Sequence, residues 1–400
     1  MNKLVEISKS LHDTIAKYSK TLVKRNRKVS LHDAFAFNCM YTFKNSSQIN
    51  IQAKMNYNSN KNVSIRAMLK RSDVIPESMV NEVIELFNNK DFNKKEQKFA
   101  IDGSKFNLTK DLISKGYKPN PKKQSVTVCT MGIFNISSNL PEALKLSKSH
   151  NERKAVIEFL DMVEDKYKDC IFIFDRGYYS LNMISELRKR KIHYIFRIKE
   201  DSKFIPDNIK IQENAEAIVF NNNRIVKYSI GTKSFYMLTD LKEKDYPLDT
   251  IKQMYHERWQ IEESFKFQKN SLKLDEIPLR NSDRIEKLMP YFLLVSKIVY
   301  FIQNLYQAKE SKCKDKKYVI NKSLLVDGLF QTDFLLRFIY NDRFETVLKQ
   351  FENAYIKVTH TQKGKSYKIV CVNTIFKSYR KFSETKNKKP KKEKEKIDKT

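Results

Sequence analysis

The chain is poor in glycine, with seven in 400 residues. The nearest thing to a phosphate-cradling loop, Gly231-Thr232-Lys233-Ser234, lacks the first glycine that such a loop needs. Five cysteines (Cys39, Cys129, Cys170, Cys313, Cys371) are scattered without a Cys-x2-Cys spacing, and the six histidines contain no His-x3-His pair. These absences exclude a zinc site and a disulfide framework and suit a reducing compartment. The opening residues, MNKLVEISKS, have no apolar stretch of the kind a secretory signal carries. The longest apolar run, from Leu288 to Tyr306, is interrupted by Pro290, Lys297 and Gln303. It reads as a buried core helix and not a membrane span, so no membrane partner is expected.

Positive charge is abundant. The formal net charge is +30. Arg380 to Thr400 holds ten basic and four acidic residues, and removing that +6 from +30 leaves +24 on the rest of the chain. A folded body that basic repels itself, and a polyanionic partner, nucleic acid first, is the simplest reason for it. Lysine outnumbers arginine by 61 to 16. An AT-rich genome produces the same bias, so the arginines are the better pointers to bidentate phosphate contacts. An apolar fraction of 40% supports a real core. The length suggests two or three modules. The expected location is the cytoplasm, in association with the nucleoid, or the nucleus in a eukaryotic host.

Residues 1–92 read as a helical domain and a candidate DNA-binding one. Val23 to Arg27 form a basic cluster. Ser64 stands where it would cap a short helix carrying Arg66, Lys70 and Arg71, and Pro76 then opens a new segment. The next module spans 93–310. Its strand candidates are the run ending at Asp102, Val126 to Ile136, Ile171 to Phe174, and 193–199. Helices are expected over 151–165, with Ala155, Ile157, Phe159, Leu160 and Val163 inward, and over 181–189. This order predicts an α/β sheet. Ligands of such sheets collect beyond strand ends, where Asp102 and Asp175 both fall. Between about 200 and 240, NIKIQ, AIVF, RIVKYSI and SFYMLT make a β-rich insertion with Asn221 to Asn223 as a turn. One helix is expected from about 250 to 268 and a long one from 283 to 309. Residues 311–380 are a C-terminal region and a candidate dimerisation element, in which YIKVT and SYKIVCV would pair as a hairpin. Residues 381–400 are a Lys-rich tail expected to be disordered.

The helix at 250–268 carries the sharpest pattern. Tyr255, Arg258, Glu262 and Lys269 are offset by 0, 3, 7 and 14 residues. At about 100° per residue they form a stripe roughly 60° wide. Ile251, Met254, Ile261 and Phe265 lie on or beside that stripe, so it borders the packed side. A carboxylate placed there needs a cation, and a row of cations suits phosphates. Asp102 and Asp175 are two further acids that only the fold could bring to Glu262. Three converging acids cannot all stay ionised without a cation. Mg²⁺ favours a few carboxylates together with waters and phosphate oxygens. Two such ions about 3.5–4 Å apart would activate a water or a 3′-hydroxyl and stabilise the leaving oxygen of a phosphodiester.

These residues carry a family resemblance. Tyr255, Arg258, Glu262 and Lys269 match Tyr-x2-Arg-x3-Glu-x6-Lys, the signature of the insertion-sequence-four group of DDE transposases. Asp175-Arg176-Gly177-Tyr178 resembles the segment with that group's second catalytic aspartate. Phe99-Ala100-Ile101-Asp102-Gly103-Ser104 resembles the segment with the first. The resemblance spans about 95 to 310. It implies an RNase H-like mixed sheet flanked by helices, with a β-rich insertion before the catalytic Glu helix. It also implies cut-and-paste DNA transposition through a hairpin, with two Mg²⁺ ions (Mn²⁺ as a substitute) on Asp102, Asp175 and Glu262. Tyr255, Arg258, Lys269 and Arg176 would hold phosphates. Double-stranded DNA, both the element's inverted repeats and the target, would be the partner of a homodimer on paired ends.

Blander readings stand beside these. Asp102 before Gly103 could close a turn, and Asp175 faces the same alternative. Arg258 and Glu262 could be a plain i, i+4 pair, which explains two of the four stripe residues. Glu263 reads as solvated, Trp259 as core, and His150 and His256 as structural. Phe235 and Tyr236 are the candidates to stack an unpaired base. Two other functions compete: a domesticated or inactive DNA-binding relative, and a stand-alone metal-dependent nuclease.

Overall fold

Five helices come first: Lys3–Leu22 (α1), Leu31–Tyr41 (α2), Gln48–Ser59 (α3), Ile65–Ser72 (α4) and Glu77–Glu85 (α5). Their starts follow capping chemistry. Ser30, Ser47 and Ser64 each accept a bond from a backbone N–H of α2, α3 and α4, which a helix start otherwise leaves free. Asp33 returns a bond to Ser30, completing a capping box. Pro76 stands immediately before α5. The computed structural model describes residues 3–23, 28–44, 46–88, 97–108, 110–117, 119, 126–148, 151–200, 215–219, 223–276, 282–310, 318–356 and 358–360.

The sheet follows. Its strands are Lys98–Leu108 (β1), Val126–Asn135 (β2), Leu140–Ser147 (β3), Ile171–Phe174 (β4), His193–Ile198 (β5), Ala215–Val219 (β6), Asn223–Ile230 (β7) and Lys233–Thr239 (β8), in the order β3-β2-β1-β4-β5-β8-β7-β6. Helix α6 (Glu152–Val163) joins β3 to β4, and α7 (Leu181–Lys189) joins β4 to β5. Strands β1, β4 and β5 are parallel, while β1 to β3 form an antiparallel meander. A meander followed by two parallel crossovers is the RNase H-like arrangement.

One strand differs from expectation. Strand β3 is absent from the sequence-based strands, because LPEALKLS carries Pro141, Glu142 and Lys145 and lacks a clean alternation. It is an edge strand, where a proline costs no ladder bond. The β-rich insertion is part of the main sheet. Strand β8 pairs antiparallel with β5, so β8, β7 and β6 lengthen the same sheet. NIKIQ and SYKIVCV lie outside the described residues.

The remaining helices are Leu248–Glu257 (α8), Trp259–Asn270 (α9), Ser282–Glu310 (α10), Lys322–Gln331 (α11), Phe334–Tyr340 (α12) and Phe344–Tyr355 (α13). The helix expected at 250–268 is thus two helices meeting at Arg258. There the backbone tightens to three-residue bonds, Arg258 N to Tyr255 O at 3.2 Å and Ile261 N to Arg258 O at 3.1 Å. Helix α10 contains the whole run from Leu288 to Tyr306, mostly buried. Among the described residues no helix is long and apolar enough to cross a membrane. Of YIKVT, Tyr355 ends α13, and Val358–His360 (β10) pairs with Tyr318–Ile320 (β9).

Alternation along the strands divides the core into two clusters. Ala100, Ile173 and Ile195 face one, shared with α1–α5, α9 and α10. Phe99, Ile101, Phe172, Phe174 and Phe196 face the other, shared with α6 and α7. Strand β4, IFIF, is buried on both sides, as a parallel strand between helical layers must be.

Candidate active site

Strand β4 ends at Phe174, whose register partner on β1 is Ile101. The next residue on each strand is an aspartate. Asp175 leaves the sheet there, while Asp102 continues within β1, which runs on to Leu108 against β2. Asp102 is therefore inside a strand and not at its end, as Asp-Gly had suggested. What ends beside it is the neighbouring strand. Ala100 and Ile173 face the cluster that includes α9, so two-residue alternation turns Asp102 toward that same side. Asp175 reaches it too, for the hydroxyl of Tyr255 on α8 donates to Asp175 Oδ1 at 3.0 Å.

Glu262 arrives on α9. Gly132 lies opposite Asp102 on β2, and a Cβ at that position would come within 2.7 Å of Cζ of Phe265. The missing side chain lets α9 settle onto the sheet. Arg258, at the α8–α9 junction, is the link between acids. Its Nη2 donates to Glu262 Oε1 at 2.6 Å, and its Nη1 stands 3.9 Å from Asp102 Oδ2. Arg258 is only 7% exposed, yet its Nε and Nη1 make no hydrogen bond.

The two aspartates are pushed apart in acidity. Burial and the charges of Glu262 and Glu152 raise Asp102 to about 6, against the Gly103 N–H at 2.8 Å and Arg258. Burial also acts on Asp175, but the Arg176 backbone N–H, Arg258, the Tyr255 hydroxyl and Arg197 outweigh it and hold that carboxyl below its usual range. Burial, then the charge of Asp175, pushes Tyr255 up to about 12, so it stays a donor.

Lys269, at the far end of the stripe, donates to the carbonyl of Lys105 on β1 at 3.3 Å. Arg176 is exposed on the turn after β4. All four stripe residues thus lean on β1, on the end of β4 or on each other. Among the described residues, no three His, Cys, Asp or Glu side chains stand close enough together to hold a metal ion. Arg258 supplies the positive charge between Glu262 and Asp102.

Several residues at this site escaped the sequence reading. Arg197 on β5 shares the face of Ile195. It lies 3.9 Å from Asp175 and stacks over Phe235 at 4.8 Å. Phe235 in turn stacks on Tyr228, its register partner. Strand parity puts Arg197 on the face of Ile195, but only the neighbouring elements show that the acids lie on that face. Tyr236, the neighbour of Phe235, points to the opposite face and bonds Glu200, so of the two candidate stacking aromatics only Phe235 faces the acids. Tyr178 and Glu152 also approach Asp102. Trp259, expected in the core, is 51% exposed, with its indole N–H on Glu263 and Lys266 over its ring. It falls just outside the buried stripe because α9 begins there.

The RNase H-like sheet thus has one aspartate within β1 and one just past β4, beside a helix that carries a glutamate. Residues 93–295, just over half of the chain, match the family described as Transposase DDE domain, and the chain belongs to that family. It is similar to a putative transposase for insertion sequence element IS4SA of Synechocystis sp., at 25% identity over 163 residues. The match covers 38% of this chain and 46% of the relative, so the chain spans about half the length of the curated relative it matches. Among solved structures, the piggyBac transposase synaptic complex with hairpin DNA aligns at 12% identity over 93% of this chain and 86% of its own, with a TM-score of 0.43. An endonuclease V from Bacillus subtilis aligns at 10% identity over 59% and 95%, with a TM-score of 0.24.

Proposed function

We propose that the protein is a metal-dependent DDE transposase, which cuts and rejoins DNA phosphodiesters at the ends of a mobile element. The observation that carries this reading is the register of β1 and β4. In it Asp102 and Asp175 each directly follow a paired residue, Ile101 and Phe174, and Arg258, bonded to Glu262, reaches toward Asp102. The donor set suits a hard cation. All the ligand atoms would be carboxylate oxygens, and burial pushes Asp102 up to about 6. Asp102, Asp175 and Glu262 are the residues that would hold Mg²⁺ or Mn²⁺. The metal, when bound, would activate the attacking water or 3′-hydroxyl and stabilise the leaving oxygen.

The chain's own residues do the rest. Arg258 Nε and Nη1 are buried donors without acceptors, and a phosphate oxygen would satisfy them. The Tyr255 phenol stays protonated beside Asp175 and can turn its donor to a phosphate as the carboxylate engages a cation. Lys269, Arg176 and Arg197 line the approach with positive charge, and Arg197 is held flat by Phe235. Exposed Trp259 adjoins Arg258 and offers a ring for a base released from its stack. Double-stranded DNA is the substrate and a homodimer bridging paired ends the assembly.

The test is purified protein with Mg²⁺ and a duplex bearing the element's inverted repeats. Strand transfer is expected, and it should fall to background in Asp175→Asn. Cleavage without joining would identify a nuclease, and binding without cleavage an inactive relative. Either result defeats the proposal.

A further inference from the structure

We propose that helix α3 reads double-stranded DNA in the major groove, with Ile49, Asn50, Ala53 and Tyr57 facing the bases and Arg66 and Lys70 of α4 on the phosphates. This rests on the reading of the protein as one that acts on DNA, and it adds a recognition surface outside the acidic site.

Charge singles out this part of the chain. Residues 34–72, 39 in succession, contain no acid, the longest such run in a chain that has 47 acids. They hold six cations, Lys44, Lys54, Lys61, Arg66, Lys70 and Arg71. A polyanion meets no repulsion here. Within this run α3 divides sharply by face. At about 100° per residue, Ile49, Asn50, Ala53 and Tyr57 fall within an arc of about 100°, and Ile51 and Met55 lie opposite. Ile51 and Met55 are buried, while Ile49 is 69% exposed and Tyr57 89%, the most exposed of the large apolar side chains among the described residues. Asn50 and Ala53 are exposed as well. Asn50 spends its backbone N–H on Ser47 at 3.1 Å. Its amide and the Tyr57 hydroxyl make no hydrogen bond among the described residues.

The inner face of α3 is tied down, so the outer face is held rigidly. Gln52 donates to the Val63 carbonyl at 2.7 Å, and Asn56 exchanges two bonds of 3.1 Å with the Val63 backbone, which leads into α4. Lys54 donates to the carbonyls of Phe330 and Thr332, where α11 ends. Helices α3 and α4 both pack on α2. Lys44 and Lys61 already have acid partners, Glu276 at 2.9 Å and Asp33 at 3.4 Å. Arg66 and Lys70, one turn apart on α4, are exposed and form no ion pair among the described residues. An α-helix with its side chains, about 10–12 Å across, fits a major groove about 12 Å wide. Asparagine pairs with adenine N6 and N7, and apolar side chains meet the thymine methyl. The outward residues of α3 are of these kinds and carry no charge of either sign. The helix therefore favours A·T pairs, while Arg66 and Lys70 supply a hold that is independent of sequence.

The experiment is fluorescence anisotropy of the full-length protein without divalent metal, on the element's inverted-repeat duplex and on a shuffled duplex of the same composition. Wild type, Asn50→Ala, Tyr57→Ala and Arg66→Ala are compared, with thermal melts as a check on folding. Asn50→Ala should weaken binding to the repeat by about tenfold, the scale of one bidentate base contact, and leave the shuffled duplex unchanged. Replacing the repeat's adenines one at a time by 7-deazaadenine should find the contact: one replacement weakens wild type and leaves Asn50→Ala unaffected. Arg66→Ala should weaken both duplexes alike. If Asn50→Ala and Tyr57→Ala both bind the repeat as wild type does, the proposal is overturned. An equal loss on both duplexes overturns it too, because α3 then touches only the backbone. Neither result disturbs the transposase reading if the wild type still transfers strands. If the wild type binds neither duplex, that reading and this addition to it fall together.

Discussion

Single side chains set the site's tolerances. Gly132→Ala would force a methyl against the Phe265 ring, which is packed between α9 and the sheet. Overpacking of this kind costs about 1–3 kcal/mol. The expected result is a lowered melting temperature together with a larger loss of strand transfer, because the displaced helix carries Glu262. Trp259 gives the opposite signature. It is half exposed, so Trp259→Ala should change stability by less than about 0.5 kcal/mol. Its loss should nevertheless weaken binding to DNA ends containing an unpaired base by about 1–3 kcal/mol, measured by fluorescence anisotropy. Equal affinity of the two proteins would remove Trp259 from the DNA surface. Much of this scale was readable in advance: Tyr255, Arg258 and Glu262 were legible from spacing. Arg197 and Glu152 were not singled out, since a lone arginine in a strand and a glutamate opening a helix look ordinary until neighbouring elements are known.

At the scale of elements, buried lysines tie helices to the sheet and to each other. Lys297 on α10 is fully buried and meets Glu142 on β3 at 3.3 Å, where Lys166 also pairs. The two lysines outweigh burial and keep Glu142 ionised. Lys297→Met leaves that carboxylate underneutralised and should cost about 3 kcal/mol in urea unfolding. Lys273, just past α9, reaches Ser46 and sits over the Tyr41 ring at 3.4 Å. Backbone bonds between Lys44 and Ser271 and between Lys273 and Thr42 join the same two segments. Burial lowers Lys273 from 10.5 to about 7. Between those values the unfolded chain holds the proton that the folded chain has released, so this group makes stability rise with pH across that window. Lys273→Met should therefore raise stability below neutral pH by on the order of 2 kcal/mol, seen as a higher melting temperature, and the gain should shrink toward pH 10. A gain independent of pH would show that the lysine is not the cause. The lysine in the apolar run at 288–306 was visible in the sequence, but its partner on β3 was not, because β3 itself lacked a strand pattern.

For the whole molecule, the governing quantity is charge. With +30 on the chain, DNA affinity should fall steeply and linearly in log–log form with salt. Neutralising any one phosphate-contacting cation, such as Lys269→Ala, should reduce the slope by about 1. A shallow slope in filter binding would contradict a backbone-tracking mode. Compactness matters as well: residues Met1–Thr359 form one compact unit, and one apolar cluster runs from α1 to α13 beneath the sheet. Changes in the first helices should therefore lower the stability of the same unit that holds the acids.

Amino-acid order alone determined the helical stripe, the capped starts of the first helices, the aspartates at the ends of apolar runs and the excess of positive charge. These depend on neighbours within a few residues, or on totals. Only the tertiary structure decided that β4 stops one residue before Asp175 while β1 runs past Asp102, that the insertion lengthens the sheet, that the stripe bends at Arg258, and that Glu152 comes in opposite α9. The reason is physical: pairing between strands some 70 residues apart is set by which faces can be buried together, and no local pattern encodes that choice.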